Sequence, residues 1–357
     1  MSNQFKFPSI ISATEENGIK SIEFANLDKS IWNAIRRTIL SDIPVYGFEQ
    51  EKCIMLVNNT QFHDQIITSN LMQIPVNETD LKSLDDYEVY VNVKNATDNI
   101  LYITTKDFRI RHKTTHQEMD DARREKIFPI DPLTGDYILF CILQSSIDST
   151  IQETLEFHCP FSVVSAGVNS SYAVASISNG RYSFDVDSAE KHWQKMLEGF
   201  VAEKKEEEFI KMQRLNFFAK GGLHETFFDT KKSLIQVKTC GVFSNDELIA
   251  SSVRFILQSF IGFKSSLGDI HFHLLPNEFY MFHSSFPYGF ILQYFALTYF
   301  SNYFVFFTFD KMHPSDANYV CKFYLSKDIK QNTVLPIFEE LVANCIEYFQ
   351  HFEKIVS

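Results

Sequence analysis

The chain has 357 residues, 45% of them apolar and 22% charged, which suits two or three soluble domains with full cores. Its net charge of −12 argues against nucleic-acid binding by this chain alone, because neutralising phosphates takes a concentrated basic surface. The six cysteines (Cys53, Cys141, Cys159, Cys240, Cys321, Cys345) form no CxxC, so there is no zinc-ribbon or CxxC redox motif. The start MSNQFKFPSI lacks the charged and apolar regions of a signal peptide, so reduced thiols in an intracellular protein are expected.

In chain order, Ile19 to Phe24 alternates as a strand. Asp28 or Ser30 can then cap a helix, since a short oxygen-bearing side chain satisfies the free N–H groups at a helix start. Ile31, Ile35 and Ile39 recur at helical spacing, Trp32 and Leu40 widen the stripe, and Arg36 and Arg37 lie beside it. Pro44 ends this helix, and Val45 to Val57 reads as a strand. Tyr87 to Ile110 reads as two strands joined by a turn at Asn95–Asn99. His112 to Lys126 is a polar loop or short helix. The basic runs Arg109–Lys113 and Arg123–Lys126 lie beside Asp107, Glu118, Asp120, Asp121 and Glu125, which makes them solvated loop charge rather than a phosphate track.

Pro129, Pro132 and Gly135 mark turns before a buried strand at Tyr137 to Leu143. Ser188 to Phe218 reads as one long helix, its KKEEE run solvated, stopped by Gly221–Gly222. Leu234 to Thr239 is a strand. Ser244 or Asn245 caps a further helix to about Phe260, with Ile249, Val253, Ile256, Leu257 and Phe260 on its apolar side. From Ser265 the order is strand, turn, helix, strand, turn, strand, then a helix from Val334 to Ile355. The two halves therefore share an order of elements, which points to a pseudo-repeat.

Motifs for independent chemistry are missing. Gly221–Gly222 and Gly262–Gly268 lack the Lys and Ser/Thr context of a phosphate loop, and no HExxH occurs. His112 and His116, near Asp120 and Asp121, are the one pairing that would suit a metallohydrolase. His271 and His273 would share a strand face, but two histidines alone make no metal site. Phe286 to Phe309 carries no charge and is long enough for a bilayer, yet Pro287, Gly289, Gln293, Asn302 and Thr308 interrupt it.

NAIRRTILSDIP resembles the signature helix of the alpha-type assembly subunits of cellular RNA polymerases, through Asn33, Ile35, Arg36, Arg37, Ile39, Leu40, Ser41 and Pro44. The next segment, through Asn58, Asn59, Thr60, Asp64, Ile74 and Pro75, resembles that family's strand, Asn-rich turn and helix. EFHCPFSVV is a looser match, with Glu156, His158, Phe161, Ser162 and Val164; His158 there is expected to be a hydrogen-bonded structural residue. Thr239, Gly241, Glu247 and Leu248 stand near the family's return strand and last helix. FPYGFILQYFALTYFSNYFVFFTFDKMHPSD resembles the family's small dimer partner, with Gly289, Ile291, Leu292, Val305, Phe309, His313 and Pro314 fitting a degraded motif.

This resemblance implies an α+β fold with two alpha-subunit-like dimerisation domains fused in one chain about a pseudo-two-fold. Residues 1–80 and 229–264 would form the first, 81–228 an inserted mainly-β domain with a trailing helix, and 265–357 the second. Asn33, Arg36, Arg37 and Ser41 would dock large subunits. Ile35, Ile39, Leu40, Ile256, Phe260, Ile291, Leu292 and Phe295 would build the internal dimer core. The implied function is a non-catalytic assembly platform for the two largest subunits of a DNA-directed RNA polymerase, alongside small polymerase subunits. Fusion of the two halves is a habit of large DNA viruses, implying host cytoplasm or nucleus, or the virion. No metal or cofactor is expected in this chain, magnesium belonging to the largest subunit. The alternative is an unrelated structural or membrane-associated viral protein using the apolar segment 286–309.

Overall fold

The structure, a computed structural model, describes residues 6–132, 134–146, 152–221, 228–274, 279–316, 318–326 and 333–357. Along the chain come β1 (Ser9–Glu16), β2 (Ile19–Ala25), α1 (Lys29–Ser41), β3 (Val45–Gly47), β4 (Ile54–Asn58) and α2 (Asp64–Met72). Next are β5 (Tyr87–Lys94), β6 (Leu101–Thr104), β7 (Arg109–His112), α3 (Asp121–Ile127), β8 (Leu139–Leu143), β9 (Thr154–Pro160) and β10 (Ser162–Val164). Then follow β11 (Ala175–Phe184), α4 (Val186–Ala202), α5 (Glu207–Gly221), β12 (Phe228–Thr239) and α6 (Asn245–Ser266). Last are β13 (His273–Leu274), β14 (Tyr280–Ser284), α7 (Gly289–Tyr299), β15 (Phe304–Asp310), β16 (Tyr319–Leu325) and α8 (Val334–Val356). The fold is α+β, and every strand pairing whose register is described is antiparallel.

Two compact units divide the chain. The first is Met1–Thr38, Ile177–Lys238 and Asn245–Ser357; the second is Ile39–Ser176 and Thr239–Ser244. The boundary expected at residue 80 thus falls near Ile39, because β3 pairs with β10 and β4 with β9. The boundary expected at 228 moves back to Ile177, because β11 returns to the sheet of β1, β2 and β12. Residues 265–357 fall in the same unit as the N-terminal segment rather than in one of their own.

The first unit holds two four-stranded sheets, ordered β1-β2-β12-β11 and β13-β14-β16-β15. Numbered within its own half, each sheet runs first, second, fourth, third. Each half also carries a helix after its second strand (α1, α7) and after its fourth (α6, α8). The halves share one ββαββα plan. The first half interrupts it twice, with the second unit after α1 and with α4–α5 between its last two strands.

Helix α8 is the spine of this unit. Near its start, Phe338 lies among Phe282, Phe304, Phe307 and Phe323 of the second sheet, ring centroids 5.4–6.3 Å away. Near its end, Phe349 stacks on Phe260 of α6 at 5.6 Å, Phe352 meets Phe24 of β2 at 5.6 Å, and Tyr348 meets Phe295 of α7 at 5.2 Å. Aromatic rings of this size carry large buried areas, and edge-to-face packing adds to them.

Three local expectations are corrected here. Strand β1 was not anticipated, although Asn17 and Gly18 lie between it and β2 at φ 53° and 75°. Both residues are in the left-handed region that a type I′ hairpin turn demands, and Asn-Gly is its favoured sequence. The helix expected from Ser188 to Phe218 is two helices. Lys204 adopts φ 53°, its N–H reaches Val201 O at 3.0 Å, and Lys205 N–H reaches Phe200 O at 3.1 Å. That is a Schellman end without its usual glycine. The chain then turns back, and Trp193 of α4 packs on Phe217 and Phe218 of α5. Finally, Val45 to Val57 is broken by a 3-10 turn at Gln50–Lys52, which sends β3 and β4 to different sheets.

The second unit contains the sheet β4-β9-β5-β7 and the ribbons β6-β8 and β10-β3. Strands β5 and β6 are joined by the Asn95 turn but do not pair: β5 lies between β9 and β7, and β6 pairs with β8. Buried Asn95 builds that turn, donating to Asn99 O and Gln144 O, each at 2.8 Å, and accepting from Thr97 N at 3.0 Å. One face of the sheet buries Val89, Val91, Leu155, Phe157 and Cys159 in a core with Phe108, Phe128 and Phe140. Strand β8 begins at Leu139, itself exposed, two residues after the start expected for it.

Candidate functional site

Helix α1 is held at both ends and along one side. Asp28 accepts from Ser30 N at 2.8 Å and from Ser30 Oγ at 2.7 Å, which fixes the first turn. Ile31, Ala34, Ile35, Thr38 and Ile39 are buried. Strand β11 covers another side. The Trp32 ring crosses Gly180, where a Cβ would come within 2.6 Å of it, and meets Tyr182 edge-on at 6.0 Å. Ser178 Oγ donates to the Arg36 carbonyl at 3.0 Å.

These contacts separate the four expected docking residues. Arg36 is half-buried and spends its guanidinium on Asn33 Oδ1, from Nε at 3.2 Å and Nη2 at 2.8 Å. The pair stiffens one edge of the helix. Ser41 donates to Asp42 Oδ1 at 2.8 Å, and its carbonyl accepts from Gly167 N at 2.6 Å. Arg37 is exposed. Of the four, it is the one whose side chain stands most open to another chain.

The matching helix α7 differs in chemistry. Its sequence, GFILQYFALTY, carries no charge. Gly289 opens it against Phe309, whose ring would lie 1.7 Å from an added Cβ. Ile291, Leu292, Phe295 and Ala296 are buried, while Phe290 and Leu297 are exposed. Tyr288, just ahead of α7, shares a buried hydroxyl hydrogen bond of 2.8 Å with Thr38 of α1. That contact links the two halves directly. Among the expected core residues, Ile35, Ile39, Ile256, Phe260, Ile291, Leu292 and Phe295 are buried and Leu40 is half-buried. The apolar window 286–309 is α7, a turn and β15, and no helix among the described residues is long and apolar enough to cross a membrane.

A second cluster lies on the other face of the inserted sheet. The buried Glu88 accepts from Arg111 Nε at 2.8 Å and lies 2.9 Å from His158 Nδ1. The Arg111 guanidinium rests 4.0 Å over the Tyr90 ring. Tyr90 donates to Glu156 at 2.7 Å and accepts from Asn92 at 2.9 Å. Three adjacent strands supply this network. Each carboxylate oxygen of Glu88 has a partner, so the cluster is built to hold the sheet's polar face in one arrangement. The sequence marks His158 but not Glu88, and the expectation of solvated loop charge at Arg109–Lys113 is corrected: Arg111 lies in β7, where it pairs with the buried Glu88. The polar-apolar alternation of YEVYVNVK was the available signal for Glu88; its pairing across β7 and β9 was not.

His112 Nδ1 accepts from Thr114 N at 3.1 Å and Thr115 N at 3.3 Å, which folds the turn after β7. His116 sits in that turn at φ 54°. No group of three or more His, Cys, Asp or Glu suited to a metal occurs among the described residues. No protein-family model matches the chain, and no curated protein matches it.

Proposed function

We propose that this chain is a non-catalytic assembly platform of a DNA-directed RNA polymerase, of the fused alpha type, which holds the two largest subunits and small polymerase subunits. The observation that carries this reading is the repeated ββαββα plan around α8, with the NAIRRTILSDIP helix in one copy. Two such halves, each with an apolar helix face it cannot bury alone, suit a dimer made within one chain about a pseudo-two-fold. The fusion raises their effective concentration. The exposed Arg37 and the rigid Arg36–Asn33 edge supply a charged border for docking, and the chemistry of synthesis, with its magnesium, would stay in the largest subunit. A viral polymerase, working in host cytoplasm or nucleus or in the virion, is the setting that the fusion suggests.

The test is affinity capture of the tagged full chain from native lysate, read by mass spectrometry. Two large co-purifying chains are expected, one carrying a magnesium-binding Asp cluster. Arg37→Ala should weaken docking by about 2–5 kcal/mol where its partner charge is buried. Capture of the chain alone, or unchanged assembly in Arg37→Ala, would count against the assignment.

A further inference from the structure

Cys53 precedes β4, and Cys159 lies in β9. Ile54 pairs with His158 and Met55 with Phe157, so the same antiparallel register carried one residue further sets Cys53 opposite Cys159. Cys53 N–H is directed to Gln50 O at 3.3 Å, which leaves this position outside the mutual backbone bonding of the ladder. The Cys159 Sγ also reaches the segment leading into β4, directed to the Glu49 carbonyl at 3.9 Å. Cys159 is wholly buried in the core of the second unit, and Cys53 is half-buried against that core.

We propose that Cys53 and Cys159 form a two-cysteine redox site that takes a peroxide as its oxidant. The site does not depend on the polymerase reading. The Cys53 thiolate attacks one oxygen of hydrogen peroxide; the O–O bond breaks, hydroxide leaves, and Cys53 becomes a sulfenic acid. The Cys159 sulfur then attacks the Cys53 sulfur, an S–S bond forms, and water leaves with the Cys159 proton. A low-molecular-weight thiol reverses the product by thiol–disulfide exchange.

The surroundings assign the two roles. The neighbouring Cys159 thiol holds the Cys53 thiol below its ordinary pKa, against opposing burial and the charge of Asp64. The neighbouring Cys53, burial, and the charges of Glu49 and Glu88 push Cys159 far up. Cys53 is the attacking sulfur, because it is the one partly open to solvent while Cys159 is wholly buried. Cys240 is more exposed, yet partial burial pushes its thiol up. The disulfide would clamp the start of edge strand β4, which exposes Ile54, Leu56 and Val57, to β9.

The experiment treats the reduced full chain with hydrogen peroxide, then alkylates free thiols and maps peptides by mass spectrometry. A Cys53–Cys159 disulfide is expected, reversed by dithiothreitol. Cys159→Ser should stop at a Cys53 sulfenic acid captured by dimedone. Without peroxide, Cys53 should alkylate several-fold faster than Cys240 near neutral pH, which needs no variant to fold. Oxidation that falls first on Cys240, a disulfide between other cysteines, or both thiols left free would overturn the proposal.

Discussion

At the scale of single residues, Glu88 has the most demanding environment outside the aromatic core. Its carboxylate lies buried between Arg111 and His158, so its removal strands a guanidinium that is itself only partly exposed. Breaking a buried pair costs about 3–5 kcal/mol, whereas exposed pairs are worth about 0–1 kcal/mol. Glu88→Ala should therefore lower stability by about 3 kcal/mol or more in urea unfolding. Arg109→Ala, which breaks the exposed pair with Glu118, should leave the midpoint nearly unchanged. Gly289 tests packing instead of charge. An added methyl would overlap the Phe309 ring, so Gly289→Ala should cost about 3 kcal/mol, the upper part of the range for overpacking. Neither effect follows from the sequence alone, since the partners stand 20 or more residues away: Arg111 is 23 residues from Glu88, and His158 is 70.

At the scale of elements, local chemistry explains which boundaries were legible. Helix α1 starts at an Asp cap and stops before a proline, both visible in the sequence, and the structure has it at Lys29–Ser41. The Asn17–Gly18 turn was equally legible and would have disclosed β1. The end of α4 was not, because Lys204 occupies the left-handed position that glycine usually fills. A non-glycine residue there carries strain of about 1 kcal/mol, so Lys204→Gly should stabilise the α4–α5 hairpin by about that amount in thermal unfolding. The chain's charge run hid the break: KKEEE has no apolar residue to show whether the stripe of α4 continues into α5.

At the scale of the molecule, α8 gathers rings from both halves of the first unit. Deleting residues 334–357 removes Phe338, Tyr348, Phe349 and Phe352 together with their contacts to β2, α6, α7 and the second sheet. Amide hydrogen exchange should then lose protection in β2, β12, β14 and β16, while β5 and β9 of the second unit keep theirs. Loss of protection in all six strands would mean that the second unit has no stability of its own.

By itself the sequence determined the helical stripes and most caps and stops. These depend on periodicity and on turn chemistry within a few residues, which any short window displays. Only the tertiary structure decided that β5 and β6 part company, that β3 and β4 join the inserted unit, and that Arg36 is half-buried and spent on Asn33 while Arg37 is exposed. It also decided that α8 serves both halves. Strand partners are chosen by burial and register over long separations, and no local pattern encodes which of several apolar strands will pair.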